Sequence, residues 1–335
     1  VLTAEREKLF ALLGNADERG ATAFVLDLFE DGTAAEHLLL DLVAPVQVQV
    51  GEYWATNRWS VAQEHAATHI SERVVAALST RTPVAPTRGH VVVSCMDGEW
   101  HALAARLVAE VLRLRGWRTT FLGASVPAAH LVSYLHQEGP DAVALSCALP
   151  VRLPHAHRMV ETCQRTGVPV LVGGRGFGPD GRWARVLGAA GWAPGAREAA
   201  ELLERRWPPE DPPRAELDHL VDDEYPTLVK RREELVDLAL AALHGEFPAM
   251  ARYAERQVEA TVEDLGHLAD FLSAAVYVQD SQLFTDFLAW MTTILHARHV
   301  PPTSLTIPLR AYWDALYDFP RARGHLEAGL ALVQS

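Results

Sequence analysis

The 335-residue chain is 49% hydrophobic with a formal net charge of −13, enough apolar material for two or three domains with cores of their own. Its lysines and arginines form no stripe, which argues against direct contact with nucleic acid or an anionic membrane, and no apolar run reaches the ~18 residues needed to span a bilayer. The N-terminal VLTAEREKLF lacks the basic-then-apolar pattern of a signal peptide, and Cys95, Cys147 and Cys163 form no CxxC, so the expectation is reduced thiols in a cytoplasmic protein.

The first segment, 1–80, reads as helix. Leu38, Leu39, Leu42 and Val46 recur at helical spacing, as do Val61, His65, Thr68, His69 and Glu72. Ser60 with Gln63 makes a capping box that starts a helix at Val61, and four or so short helices would form a small bundle. Clustered prolines between Thr80 and Arg88 mark a linker. From 88 to 206, strands expected at His90–Met96, Trp117–Gly123, Ala142–Cys147, Pro169–Gly174 and near Gly191–Ala193 alternate with amphipathic helices such as Ala102–Arg115. That alternation implies a parallel sheet with right-handed crossovers, and five strands suit a flavodoxin-like doubly wound fold. Its ligand belongs at the carboxyl ends of the strands, between the first and the third. A second proline-rich linker, Trp207–Arg214, leads to an all-helical segment, 215–335, with apolar-periodic runs at Leu235–Leu243, Val262–Val278 and Gln282–His299. No heptad persists there, so a globin-like or orthogonal helical fold is expected over a coiled coil. The fold class is multidomain, α then α/β then all-α.

Three clusters converge on the expected ligand edge: Asp97-Gly98-Glu99-Trp100-His101 after the first strand, Ser146-Cys147-Ala148 after the third, and Gly173-Gly174 after the fourth. The pattern Glu99-x-His101-x-x-Ala104, Ser146-x-Ala148, Gly173-Gly174 resembles the cobalamin-binding domain shared by methionine synthase and the adenosylcobalamin mutases. Ala104 and Ala148 stand where that family has glycine and leucine. The resemblance implies that His101 replaces the cofactor's own base as the lower axial ligand of cobalt. The displaced tail would pass Ser146 and lie against the backbone of Gly173 and Gly174, where absent side chains permit close approach. Imidazole is a good donor to such a metal, and its second nitrogen needs a partner to fix the tautomer. Glu99 is one candidate and Asp97, by a different loop path, the other.

Upstream, Trp54 and Glu64-His65 form a W-x9-EH pattern. It resembles the signature of the cobalamin photoreceptors that repress carotenoid genes, in which a helical bundle also precedes the cobalamin domain. The resemblance implies adenosylcobalamin as chromophore, with Trp54, Glu64 and His65 over its upper face. Where that family has a histidine after the tryptophan, this chain has Ala55, so the upper ligand after photolysis is left to His65, His69 or water. His65 and His69 are four apart on one helix and therefore share a face. The repressors also carry a DNA-binding domain ahead of the bundle, and the acidic chain is not expected to be a repressor by itself.

With a helical segment following, the whole arrangement resembles photocobilins, which hold cobalamin beside a bilin, biliverdin, in a globin-like domain. No cysteine follows position 163, so a thioether-linked bilin is excluded from that segment. A non-covalent one needs an apolar slot, a polar partner for its pyrroles and cations for its propionates. Candidates are His267, Tyr277, Phe287 and Met291, flanked by Phe284 and Trp290, with Arg298 or Arg310 for the propionates; the helical spacing of Phe284, Phe287, Leu288 and Met291 fits plain core equally well. The expected protein is a sensor and not an enzyme, a homo-oligomer with light-dependent assembly, and one that signals through its assembly state or through a separate output protein. Competing readings are a corrinoid carrier for a methyltransferase and a cobalamin sensor whose last domain binds haem or serves interaction only.

Overall fold

The computed structural model describes residues 2–205, 207–210 and 213–334, and these fold into two compact units divided between Ala215 and Glu216. Asp211 and Pro212 of the expected second linker lie outside the described residues.

The first unit begins with the bundle. Helices α1 (Thr3–Gly14) and α2 (Glu18–Glu30) are followed by α3 (Ala35–His37), which runs through a π-helical stretch, Leu38–Val43, into α4 (Ala44–Ala55). Helix α5 (Val61–Arg81) starts where the capping box places it. Ser60 Oγ accepts from the Gln63 amide, and the Gln63 side chain accepts from the Ser60 N–H. Ring contacts among Phe10, Tyr53 and Trp59 pin the turn between α4 and α5.

Five parallel strands follow, β1 (His90–Cys95), β2 (Arg118–Gly123), β3 (Ala142–Ser146), β4 (Val170–Gly173) and β5 (Gly191–Ala193), in the order β2-β1-β3-β4-β5. Each expected strand is present within a residue or two of its expected ends. β1 is buried along its whole length, as a central parallel strand covered on both faces must be. The connecting helices are α6 (Ala102–Leu114), α7 (Ala128–Glu138), α8 (Leu153–Gln164), α9 (Arg182–Val186) and α10 (Ala196–Arg205). The order reverses between β1 and β3, which places a cleft at the carboxyl ends of those strands.

Bundle and sheet share one hydrophobic core. Val74, Val75 and Leu78 of α5 belong with Leu103, Leu107 and Val111 of α6 and with Val91 and Val93 of β1. Polar links reinforce the junction. Arg115 donates two hydrogen bonds to Glu36, at 3.0 and 2.7 Å, and holds its carboxyl below the usual range. Arg113 donates to the Thr82 carbonyl and hydroxyl at 2.5 and 2.8 Å.

The second unit is all-α. It comprises α11 (Glu224–Lys230), α12 (Arg232–Glu246), α13 (Glu255–Val278), α14 (Ser281–Ala297), α15 (Thr306–Ala315) and α16 (Pro320–Gln334). α12 packs on α13 and α15, and α14 on α16. Helix α13 starts at Glu255, earlier than the apolar pattern from Val262 suggests, because its first two turns face solvent. Gln257 caps them by accepting from the Ala254 N–H at 3.0 Å. The core is formed by Leu235, Leu272, Phe284, Leu288 and Leu326, and the buried Tyr312 hydroxyl donates to the Leu265 carbonyl at 3.0 Å. No helix among the described residues is long and apolar enough to cross a membrane.

Candidate cofactor site at the sheet switch point

The loop from β1 to α6 decides which carboxylate meets His101. Gly98 takes a φ of +76°, which glycine reaches without strain, and its N–H donates to Ser125 Oγ at 3.1 Å. Before that kink, the Asp97 backbone N–H donates to the Met159 sulfur of α8 at 3.0 Å. After it, Glu99 points inward and is 1% exposed.

Glu99 accepts three hydrogen bonds. Oε1 takes the His101 ring Nδ1 at 2.6 Å and the His101 backbone N–H at 2.9 Å, and Oε2 takes the Ala148 N–H at 2.7 Å. Burial alone would raise this carboxyl, but the bonds from His101 and Ala148 outweigh it and bring it down to about 2. A buried carboxylate so supplied with donors stays ionised and fixes the imidazole with Nδ1 inward. The other ring nitrogen, Nε2, is left for a ligand, and the His101 side chain is 64% exposed at the cleft. The bond to Glu99 raises the His101 pKa against the effect of burial, with the charges of Glu99 and Glu64 adding to the rise. The alternative left open by the sequence is thereby resolved in favour of Glu99.

Ser146, at the end of β3, pairs with Cys95 of β1 and Gly173 of β4, so all three expected clusters meet at one edge. Gly174 has a φ of +98°, and a Cβ there would lie 2.3 Å from the Cys147 carbonyl; one on Gly173 would lie 3.0 Å from the Ala193 carbonyl. Ala104 is exposed on the first turn of α6, beside His101. These residues fit a cobalamin held from below by histidine. One imidazole is oriented by a charged partner, and the two glycines let the backbone pack closely against the Cys147 and Ala193 carbonyls at the same sheet edge.

From the bundle, Glu64 lies near enough for its charge to act on His101. Its Oε1 accepts from the Thr68 hydroxyl at 2.9 Å and its Oε2 contacts His65 Nδ1 at 2.6 Å. Trp54 is half-buried in the last turn of α4. The His65 and His69 side chains are 74% and 70% exposed, so the helix presents both imidazoles outward in this structure. Sequence reasoning missed Ser125, the Ala148 N–H and Thr68. The first two are brought in by loop geometry without a sequence signal, whereas Thr68 stands one turn after Glu64 and was legible from spacing.

The residues proposed for a second chromophore divide. Phe287 and Met291 are buried in the helical core, and Phe287 stacks on Phe271 with ring centroids 3.9 Å apart. Tyr277 is buried; its ring meets Tyr225 edge-on at 4.7 Å and its carbonyl is 2.9 Å from His219 Nε2. His267 and Arg298 are exposed, and burial raises the Asp264 carboxyl, a rise that the electrostatic effects of Arg298 and His267 offset in part. Arg310 is exposed on α15.

Residues 89–201 match a family model described as a B12 binding domain, and residues 5–79 match a second model of that description. The HTH-type transcriptional repressor CarH of Myxococcus xanthus is 34% identical over 142 residues, 40% of this chain and 46% of that protein. A corrinoid protein of Desulfitobacterium hafniense is 27% identical over 124 residues, 36% of this chain and 56% of that protein. The chain thus spans about half the length of these curated relatives. Among solved structures, the Methanosarcina barkeri monomethylamine corrinoid protein superposes with a TM-score of 0.54 at 17% identity, covering 60% of this chain and 98% of that one, a likeness of fold.

Proposed function

We propose that this chain, which carries the two B12-binding domains just described, is a light sensor that holds adenosylcobalamin between bundle and sheet. The observation that carries the reading is the exposed imidazole of His101, held at the sheet edge by the buried Glu99 at 2.6 Å, in the same compact unit as the bundle. His101, oriented by Glu99, would ligate cobalt from below, while Ser146, Gly173 and Gly174 receive the displaced tail and Trp54 and Glu64 cover the upper organic group. When bound, the cofactor supplies a metal–carbon bond weak enough for visible light to break. Contacts from Trp54 and Glu64 to that upper group favour one packing of bundle on sheet. Their loss shifts the population toward another, because a ligand moves an equilibrium only by its differential affinity for the two states. The exposed His65 and His69 are candidates for cobalt's upper position after photolysis, since Ala55 offers no donor.

The second unit is read as a globin-like domain for a bilin, biliverdin, with His267 and Arg298 around Asp264 as its polar contacts. Signalling through light-dependent homo-oligomerisation and a separate output protein, in the cytoplasm, completes the proposal. The likeness of fold to a corrinoid protein favours one competing reading, a corrinoid carrier serving a methyltransferase.

Visible spectra of the purified chain loaded with adenosylcobalamin, before and after green illumination, test the proposal. The wild type is expected to bind the cofactor base-off and to bleach, and His101→Ala to lose the histidine-ligated spectrum. A spectrum that stays base-on, or that prolonged illumination leaves unchanged, refutes it. Methyl transfer by a partner enzyme without any photoresponse would establish the carrier. A red-absorbing band with added biliverdin, lost when His267 and Arg298 are replaced by alanine, is expected for the second chromophore.

A further inference from the structure

We propose that helices α2 and α5 of the bundle carry a self-association surface, on which a second copy of this chain docks antiparallel about a two-fold axis through Ala23 and Ala76.

The two helices pack side by side and run in the same direction, as the ion pairs at the two ends of their groove show. Glu18 meets Arg73 at 2.9 Å and Glu30 meets Arg81 at 3.1 Å. The groove between them holds about 830 Å³ and is lined by Thr22, Ala23 and Leu26 of α2 and by Ala76, Ala77 and Thr80 of α5. At a rise of about 1.5 Å per residue, the stretch from Glu18 to Glu30 is about 18 Å long. The inner face of α2 is set by Ala21 and Val25, which are buried in the bundle core, and that of α5 by Val74, Val75 and Leu78. On the opposite side of α2, Arg19, Ala23 and Asp27 follow one another at intervals of one turn and are all exposed.

Charge decides what covers this face. Glu18, Glu30, Arg73 and Arg81 are already paired within the chain. Among the described residues, Arg19 and Asp27 make no ion pair. They stand equally far on either side of Ala23, the cation toward the amino end of α2 and the anion toward its carboxyl end. A second copy turned by half a rotation about Ala23 lays its own α2 antiparallel on the first. Arg19 then lies opposite the second copy's Asp27, and Asp27 opposite the second copy's Arg19. An exchange of this kind is what a two-fold contact between identical surfaces requires, and a partner of different sequence would have no need of it. The axis falls on residues that allow close approach. Ala23 and Ala76, which the end ion pairs place at the same level of the groove, are both exposed and carry only a methyl group. Leu26, half-buried beside Ala23, adds apolar area to the contact. A patch of this length supports weak association, with a Kd on the order of micromolar to tens of micromolar.

Sedimentation velocity of the full chain over roughly 1 to 100 µM tests this, comparing wild type, Arg19→Asp, Asp27→Arg, the double variant carrying both, and Ala23→Arg. Wild type is expected to pass from monomer to dimer as concentration rises. Each single reversal sets like charges opposite one another twice in the dimer and should weaken association about tenfold or more, whereas the double variant restores both pairs and should return to within about threefold of wild type. Ala23→Arg, which puts two long cations at the axis, should abolish the dimer. All the substituted positions are exposed, so far-UV circular dichroism should be the same for every chain. A wild type that stays monomeric throughout overturns the proposal. So does a dimer that the single reversals leave unchanged, or a double variant that associates no better than the singles.

Discussion

Replacing Glu99 by glutamine keeps the side chain's volume and removes its charge at a site where three N–H groups point at two oxygens. In the folded chain this carboxyl is brought from 4.5 to about 2, which corresponds to roughly 3 kcal/mol in favour of the ionised form. A depressed carboxyl contributes stability that is complete above its unfolded value and lost as pH falls through the folded one, here between about 4.5 and 2. Glu99→Gln forfeits that contribution at neutral pH, and its amide NH2 must face the Ala148 N–H or the His101 donors. The expected loss is about 3 kcal/mol in urea unfolding of the apoprotein followed by far-UV circular dichroism, with a flatter acid limb in the stability profile. Because His101 also loses the partner that fixes its tautomer, cobalamin affinity in equilibrium dialysis is expected to fall about 10- to 100-fold. A variant that unfolds at the wild-type urea concentration and binds cobalamin equally well would refute the role assigned to the carboxylate.

Gly174→Ala places a Cβ 2.3 Å from the Cys147 carbonyl at a φ of +98°, so a thermal melt should show at least about 2 kcal/mol of destabilisation, whereas Ala104→Gly on the exposed first turn of α6 should cost about 1 kcal/mol or less. His325 is buried in the second unit beside Ser281, and burial depresses its pKa to about 4. A histidine kept neutral by the fold is protonated more readily when unfolded, so stability is complete above about 6.5 and lost as pH falls toward about 4. The unfolding transition of the second unit in calorimetry should lose about 2 kcal/mol between pH 7 and pH 5, and His325→Leu should remove that dependence; a wild-type transition indifferent to pH in this window would contradict it.

What the sequence by itself determined were the features governed by near neighbours. The period of apolar residues located the strands within a residue or two, Ser60 and Gln63 set the start of α5, and the order of the three clusters put His101, Ser146 and Gly173 on one sheet edge. These follow from backbone geometry and burial, which act over a few residues and leave a periodic trace. The tertiary structure decided what depends on direction and on distant partners. Glu99, which follows the positive φ of Gly98, is the carboxylate that meets the His101 ring, a loop path that no pattern of residue types encodes. Ion pairs such as Arg115 with Glu36, and the link from Gln47 to Thr68, join residues far apart in the chain whose meeting follows from how helices pack. In the second unit, periodicity identified the apolar faces of the helices but could not say which aromatic side chains fill the core. Phe287 and Tyr277 proved to be engaged with Phe271 and Tyr225, because a buried face looks alike in sequence whether it meets a chromophore or another helix.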